Sequence, residues 1–95
     1  MYEIPAKIKE EVGSLISSLL AAGWKLDHAT YDEECFGNWF VDLSREDATI
    51  RLVKDRSQWC VRGPTHAIKA AGLFKAFDDL DEFQRAISDW VIEKT

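Results

Sequence analysis

The chain has 95 residues, of which 46% are hydrophobic and 31% charged, a composition typical of a folded domain and not of a disordered segment. Its formal net charge of −5 at pH 7 argues against nucleic acid or an anionic membrane surface as the main partner, because both need concentrated Lys and Arg. No apolar run approaches the roughly 20 residues that cross a bilayer, and the N-terminus lacks a signal-peptide pattern. We therefore expect one cytoplasmic domain over residues 1–95.

The first predicted element is a helix over residues 5–22. Its apolar residues recur at helical spacing and form one stripe: Ile8, Val12, Leu15, Ile16, Leu19 and Leu20. Pro5 suits the first turn of this helix, and Gly23 stands where a C-terminal cap is needed. The opposite side, which includes Glu10 and Glu11, is expected to face water.

Residues 24–62 change to an alternating period, which predicts β-strands. Four strands are expected, over residues 24–28, 36–43, 48–54 and 58–62. The last two connections are polar and short enough for hairpins, so an antiparallel meander is predicted.

Alternation along these strands predicts two faces of different character. The face expected to meet the helices carries Trp39, Val41, Leu43, Ala48, Ile50, Leu52, Trp59 and Val61. The other face carries Asn38, Phe40, Asp42, Thr49, Arg51, Val53, Cys60 and Arg62. One interpretation is a solvated face in which Asp42 pairs with Arg51 or Arg62. The other is a mixed aromatic, aliphatic and Arg patch of the kind found at protein interfaces.

Two helices are expected after Gly63-Pro64-Thr65 breaks the sheet. The first covers about residues 66–76. The second begins at a capping box formed by Asp79 and Glu82, and its apolar face carries Leu80, Phe83, Ile87, Trp90 and Val91. The predicted fold class is therefore α+β: an N-terminal helix, a four-stranded antiparallel meander and two C-terminal helices packed on one face of the sheet.

Charge is unevenly distributed along the chain. Residues 27–47 carry seven acidic side chains against Arg45, a net −6, and residues 48–75 carry six basic side chains against Asp55, a net +5. One interpretation is that acidic and basic strands are neighbours that pair across one sheet; the other is that the acidic block forms a patch aimed at a cationic partner. Both interpretations stay open at the level of sequence.

The candidates for chemistry are His28, Cys35, Cys60 and His66. Their spacing contains neither Cys-x-x-Cys nor His-x-x-x-His, so no metal site is predicted. Neither Cys–His pair forms a known nucleophile motif, and the glycines are too scattered for a phosphate-binding loop. We expect free thiols, no cofactor, no catalytic residue and no enzymatic activity.

The stretch over residues 36–43, followed by residues 50–61 with Asp55-Arg56-x-x-Trp59, resembles a pattern in small bacterial proteins. A weaker similarity lies at residues 77–80. Some of those proteins serve as immunity proteins of toxin–immunity systems, including contact-dependent growth inhibition. The resemblance implies an inhibitor that binds a cognate toxin domain and occludes its active or substrate-binding surface. Asp55-Arg56-x-x-Trp59 is a hairpin turn followed by a core Trp, so it says little about function. Immunity proteins diverge strongly at their binding surfaces, so the resemblance carries over no binding residue.

For such an inhibitor, the partner is expected to be a protein toxin with a basic surface, and neither nucleic acid nor a membrane. The expected contacts combine carboxylates of the acidic block with one aromatic anchor: Asp32, Glu33, Glu34, Phe40, Asp42 and Asp47. The alternative is a regulatory or adaptor module, for which a homodimer is one of the expected states. The sequence leaves monomer and homodimer open.

Overall fold

The computed structural model describes residues 4–32, 38–46, 48–63, 65–73 and 75–94. Its elements follow the chain as α1 (Ala6–Ala21), β1 (Lys25–Asp32), β2 (Asn38–Arg45), β3 (Ala48–Asp55), β4 (Gln58–Arg62), α2 (Thr65–Ala70) and α3 (Leu80–Lys94). This confirms the predicted α+β order of one helix, four strands and two helices.

The four strands form one sheet in the order β1-β2-β3-β4, and each strand is antiparallel to its neighbour. The predicted meander is therefore confirmed. The link between β3 and β4 is a two-residue turn in which Arg56 and Ser57 have φ of 52° and 66°. Positive φ at both central residues is the conformation that lets a two-residue turn match the twist of its strands. Asn38 supports this turn, because its Oδ1 accepts a hydrogen bond from the backbone N–H of Arg56 at 3.1 Å.

Helix α1 ends at Ala21, and Gly23 closes its C-terminal cap, as the position of this glycine in the sequence predicted. Gly23 has φ of +99°, and its N–H donates to the carbonyl of Leu20 at 3.1 Å. The N–H of Trp24 donates to the carbonyl of Leu19 at 3.0 Å, which completes a Schellman cap. Arg45 from β2 adds a hydrogen bond to the carbonyl of Ala22 at 3.1 Å, so the helix end is tied directly to the sheet.

Helix α2 is shorter than predicted, and its extension to residue 76 was wrong. Gly72 adopts φ of +74°, and the N–H of Leu73 donates to the carbonyl of Ile68 at 3.0 Å, so a second Schellman cap ends the helix. The chain then runs to the outer edge of β4. There Phe77 and Trp59 exchange two backbone hydrogen bonds, of 2.9 and 2.7 Å. The cap at Gly72 is what ends α2 early, and the pairing with Trp59 then ties Phe77 to the edge of the sheet.

The start of α3 confirms Asp79 as the N-cap. Its Oδ1 accepts a hydrogen bond from the backbone N–H of Glu82 at 3.1 Å. The second half of the predicted capping box does not form, because the carboxylate of Glu82 lies 3.6 Å from Nζ of Lys75. Asp81 and Glu82 in the first turn also favour the positive end of the helix dipole.

The core lies between the helices and one face of the sheet, called the covered face here. Its buried strand residues are Ala29, Trp39, Val41, Leu43, Ile50, Leu52 and Val61, and the helices contribute Ile8, Val12, Leu15, Ile16, Leu19, Ile68, Phe83, Ile87 and Trp90. Ala48 and Trp59, the other two residues predicted for this face, are partly buried and pack against the same core. The alternation read from the sequence therefore identified the covered face.

Glu11 is the exception to the predicted polar side of α1. Its side chain is only 21% exposed, and it accepts hydrogen bonds from the indole N–H groups of Trp59 at 3.2 Å and Trp39 at 3.4 Å. Its Oε2 also lies 3.1 Å from Nζ of Lys54. Glu11 stands three residues after Ile8 and four before Leu15, so it borders the apolar stripe and reaches the sheet. The expectation that it faces water was wrong.

We expect Glu11→Ala to lower the free energy of unfolding by about 2 kcal/mol, because it removes one acceptor shared by two indoles and an ammonium. Urea denaturation followed by Trp fluorescence measures this. Glu10→Ala is the matched control: Glu10 is 68% exposed and lies 3.9 Å from Lys7, so its removal should change stability by less than about 0.5 kcal/mol. Equal losses for the two variants would contradict the role assigned to Glu11.

Candidate protein-binding face

The second face of the sheet is covered by no described helix, and it is called the open face here. Along β2 the side chains alternate between buried and half-buried from Asn38 to Leu43. The half-buried ones belong to the open face, as do exposed side chains on β3 and β4. The structure thus leaves a full sheet surface available between its two edges.

Around Phe40, the strand register arranges the side chains of the open face in three rows that run across the strands, and a further row of Lys25, Ser44 and Thr49 lies beyond them. The charged row consists of His28, Asp42, Arg51 and Arg62, each opposite the next. The apolar row consists of Thr30, Phe40, Val53 and Cys60. The polar row consists of Asn38, Asp55 and Gln58; Asp55 lies opposite Gln58, and Nδ2 of Asn38 donates to Oδ1 of Asp55 at 3.2 Å. The apolar row therefore lies between two hydrophilic rows. Protein interfaces have the same arrangement of an apolar centre with a polar rim.

His28 reaches this face because of a β-bulge. The register of β1 against β2 shifts between Leu26 and His28, so Asp27 is an extra residue. Strict alternation from Trp24 would put His28 on the same face as Leu26. After the bulge, Ala29 is buried and His28 is exposed on the open face. The sequence analysis did not place His28 on the open face because a bulge leaves no clear mark in an alternating pattern.

Phe40 lies at the centre of a fixed cluster on the open face. The Cζ atom of Arg51 is 4.2 Å from the centre of the Phe40 ring, and the ring of His28 stacks on Phe40 at 5.5 Å. Nε2 of His28 is 2.8 Å from Oγ1 of Thr30. Cation–π and stacking contacts of this kind hold the aromatic ring in one orientation.

Arg51 is itself held by Asp42 on the neighbouring strand. Its Nε and Nη2 atoms donate to the two carboxylate oxygens at 2.6 and 3.0 Å. The hydrogen bonding to Asp42 raises the pKa of Arg51 above its usual value. The side chain of Arg51 stays 47% exposed, so the pair adds little stability but presents a charged group in a defined position.

Two of the expected contact residues, Phe40 and Asp42, are brought together on the open face. Asp42 is 19% exposed at its side chain and already paired with Arg51, so it is not the free carboxylate that the sequence suggested. The pairing of Asp42 with Arg51 agrees with the interpretation that acidic and basic strands pair across the sheet.

The other expected contacts lie at the limits of the described residues. The backbone of Asp32 ends β1 opposite Asn38. Glu33, Glu34 and Asp47 lie outside the described residues. The strand before Glu33 ends beside the start of β2, and the strand before Asp47 is β2 itself, so the two strand ends lie at opposite ends of β2. At the rise per residue of an antiparallel strand, these ends are about 25 Å apart. A partner that contacts both ends would therefore have to span the whole open face.

The residues considered for chemistry are spread over different surfaces. Cys60 is a free, half-buried thiol on β4, whereas His66 is exposed on α2, and no hydrogen bond joins the two. A shallow groove of about 470 Å³ lies beside β4, lined by Cys60, Lys75 and neighbouring residues of β4 and α2. In the described part of the chain, no group of three or more His, Cys, Asp or Glu side chains could hold a metal ion. None of the helices in that part combines the length and apolar character that a membrane crossing requires.

No protein-family model, curated protein or solved structure matches this chain.

The two faces should respond differently to the same truncation. Val41 and Val53 lie on adjacent central strands, and Val41 is fully buried whereas Val53 is half-buried on the open face. We expect Val41→Ala to lower the free energy of unfolding by about 2–3 kcal/mol and Val53→Ala by less than about 1 kcal/mol. Urea denaturation of the two variants checks this. A loss at Val53 as large as that at Val41 would show that the open face is buried.

Proposed function

We propose that this protein is a cytoplasmic inhibitor of the immunity-protein type, which neutralises a cognate protein toxin by occluding its active or substrate-binding surface. The observation that carries the proposal is the open face: a half-exposed apolar row between two hydrophilic rows, on a sheet whose other face is buried. Bacterial toxin–immunity systems, including contact-dependent growth inhibition, are the setting that the sequence resemblance implies.

The open face supports tight binding because its central side chains are ordered before a partner arrives. Phe40 is held between His28 and Arg51, so little side-chain entropy is lost when a partner covers the ring. Aromatic and Arg side chains of this kind supply most of the binding energy at interfaces. Val53 and Cys60 extend the apolar area on the same row. Phe40 is accordingly the proposed anchor.

The acidic block would increase the association rate and the selectivity for a cationic partner, and would contribute less to the affinity. The chain carries a net charge of −5, and its acids are concentrated in residues 27–47. Such a field raises the rate of encounter with a cationic partner. Asp32, Glu33, Glu34 and Asp47 are the proposed peripheral contacts. Asp42 acts through Arg51, because it orients the guanidinium that lies over Phe40.

The alternative is a regulatory or adaptor module that uses the same face. The half-exposed apolar row favours any protein partner and does not by itself specify a toxin. The two functions differ in what the bound partner does when it is expressed alone. A toxin arrests the growth of cells that lack the inhibitor, whereas the partner of an adaptor does not.

The test starts with capture of partners from a bacterial lysate on the immobilised chain, followed by mass spectrometry. Each captured protein is then expressed in bacterial cells with and without this chain. We expect one partner to arrest growth alone and growth to recover when the chain is present. Phe40→Ala should weaken its binding by about thirtyfold, because an aromatic anchor is worth at least about 2 kcal/mol. Glu10→Ala, on the exposed side of α1, should bind as the wild type does.

Two results would count against the proposed function. If no captured protein arrests growth, the adaptor alternative replaces it. If a toxic partner is captured but Phe40→Ala binds it with unchanged affinity, the inhibitor uses a surface other than the open face.

A further inference from the structure

The three rows of the open face are complementary to themselves under one twofold rotation. On each of the strands β2, β3 and β4, the charged-row residue and the polar-row residue stand two positions on either side of the apolar-row residue. On β3, for example, Arg51 and Asp55 flank Val53. A twofold axis that lies along the apolar row therefore places the apolar row of one copy on that of a second copy. The same rotation places each charged row against the other copy's polar row.

The facing groups then match in charge and in hydrogen-bonding character. Arg51 of one copy faces Asp55 of the other, a cation against an exposed carboxylate. Asp42 faces Asn38, whose amide can donate to it. On β4, Arg62 faces Gln58, whose amide oxygen can accept from the guanidinium. None of these pairs sets like charges against each other. Between them, the apolar row of one copy packs against the apolar row of the other.

A second copy can also be placed with the twofold axis parallel to the strands. That arrangement sets each row against itself, so Arg62 faces His28 and gains neither a carboxylate nor an amide acceptor. The axis along the apolar row is the better match because it gives every charged-row residue of β2, β3 and β4 a complementary group.

We propose that this chain forms a weak homodimer by packing two open faces together, with the twofold axis along the Thr30–Phe40–Val53–Cys60 row. Three strands about 27 Å long and a fourth of about 17 Å, spaced about 4.8 Å apart, give a footprint of about 500 Å² per copy. The total of about 1,000 Å² is at the lower limit for a specific interface, so dissociation in the micromolar range or weaker follows. A toxin that binds the same face more tightly would displace the second copy by mass action. The dimer does not depend on the proposed function.

Sedimentation velocity of the chain alone tests the dimer over concentrations from about 1 μM to about 1 mM, the range in which a weak interface assembles. We expect the wild type to pass from monomer to dimer. Val53→Asp should stay monomeric throughout, with an unchanged circular dichroism spectrum, because it places a carboxylate in the apolar row. Asp55→Arg should weaken dimerisation at least tenfold, because it sets a second cation against Arg51. Glu10→Arg makes the same charge change on the exposed side of α1 and should leave dimerisation unchanged.

The position of the axis is tested through Cys60. Along this axis the two Cys60 residues face each other across sheets that pack about 10 Å apart, too far for a disulfide but within reach of a short bis-maleimide. In a Cys35→Ser background, the dimer should therefore cross-link through Cys60. With the axis parallel to the strands, Cys60 would face Thr30 and no such cross-link would form.

A chain that stays monomeric at the highest concentration would overturn the proposal. So would a dimer that survives both Val53→Asp and Asp55→Arg, because it would use another surface. A dimer without the Cys60 cross-link would contradict the axis. All these measurements use the chain alone, so they stand apart from the search for a toxin.

Discussion

Glu11 joins helix α1 to the sheet through three donors that come from three different strands. Trp39 belongs to β2, Lys54 to β3 and Trp59 to β4, and all three converge on one half-buried carboxylate. Such a carboxylate is stable away from water only when its oxygens are satisfied, so it fixes where the helix lies on the sheet. The apolar stripe of α1 then covers the face that carries Trp39, Val41 and Leu52.

Once α1, α2 and α3 pack on that face, the chain has no described helix left for the other one. The open face must therefore be stable in water without cover, and its composition satisfies this requirement. Asp42 and Arg51 pair across strands, Asn38 bonds to Asp55, and Phe40 lies under a guanidinium. The same contacts that make the face stable when exposed also hold it rigid, and rigidity favours binding because few side chains need to be ordered.

Alternation and periodicity sufficed to predict the order of elements and the covered face. Strand β4 was predicted at residues 58–62 and occupies Gln58–Arg62, because a polar turn and Gly63 mark its ends. The errors came where tertiary contacts override local pattern. Helix α2 ends early because Gly72 adopts a positive φ and closes a Schellman cap, and Phe77 beyond it pairs with Trp59 at the edge of β4. Glu11 does not face water because its carboxylate accepts from two indoles and lies beside an ammonium.

The arrangement of the open face could be predicted only in part. Phe40, Asp42, Arg51 and Val53 were assigned to one face by alternation. The rows, however, depend on which residues stand opposite each other, and that register is set by turn geometry and by the bulge at Asp27. Arg56 and Ser57 give little sequence signal for a turn with two positive φ values, since Asn and Gly are the usual residues there. The complementarity of the rows was therefore not visible in the sequence.

One face of the sheet is buried, and the other is exposed and ordered in a form that suits a protein partner. Methyl NMR of Val41 and Val53 in the presence of a soluble paramagnetic agent tests it most directly, because relaxation reports how closely solvent approaches each side chain. At high dilution we expect strong broadening of the Val53 methyl signals and little broadening of those of Val41. Equal protection of the two residues at every concentration would contradict the account.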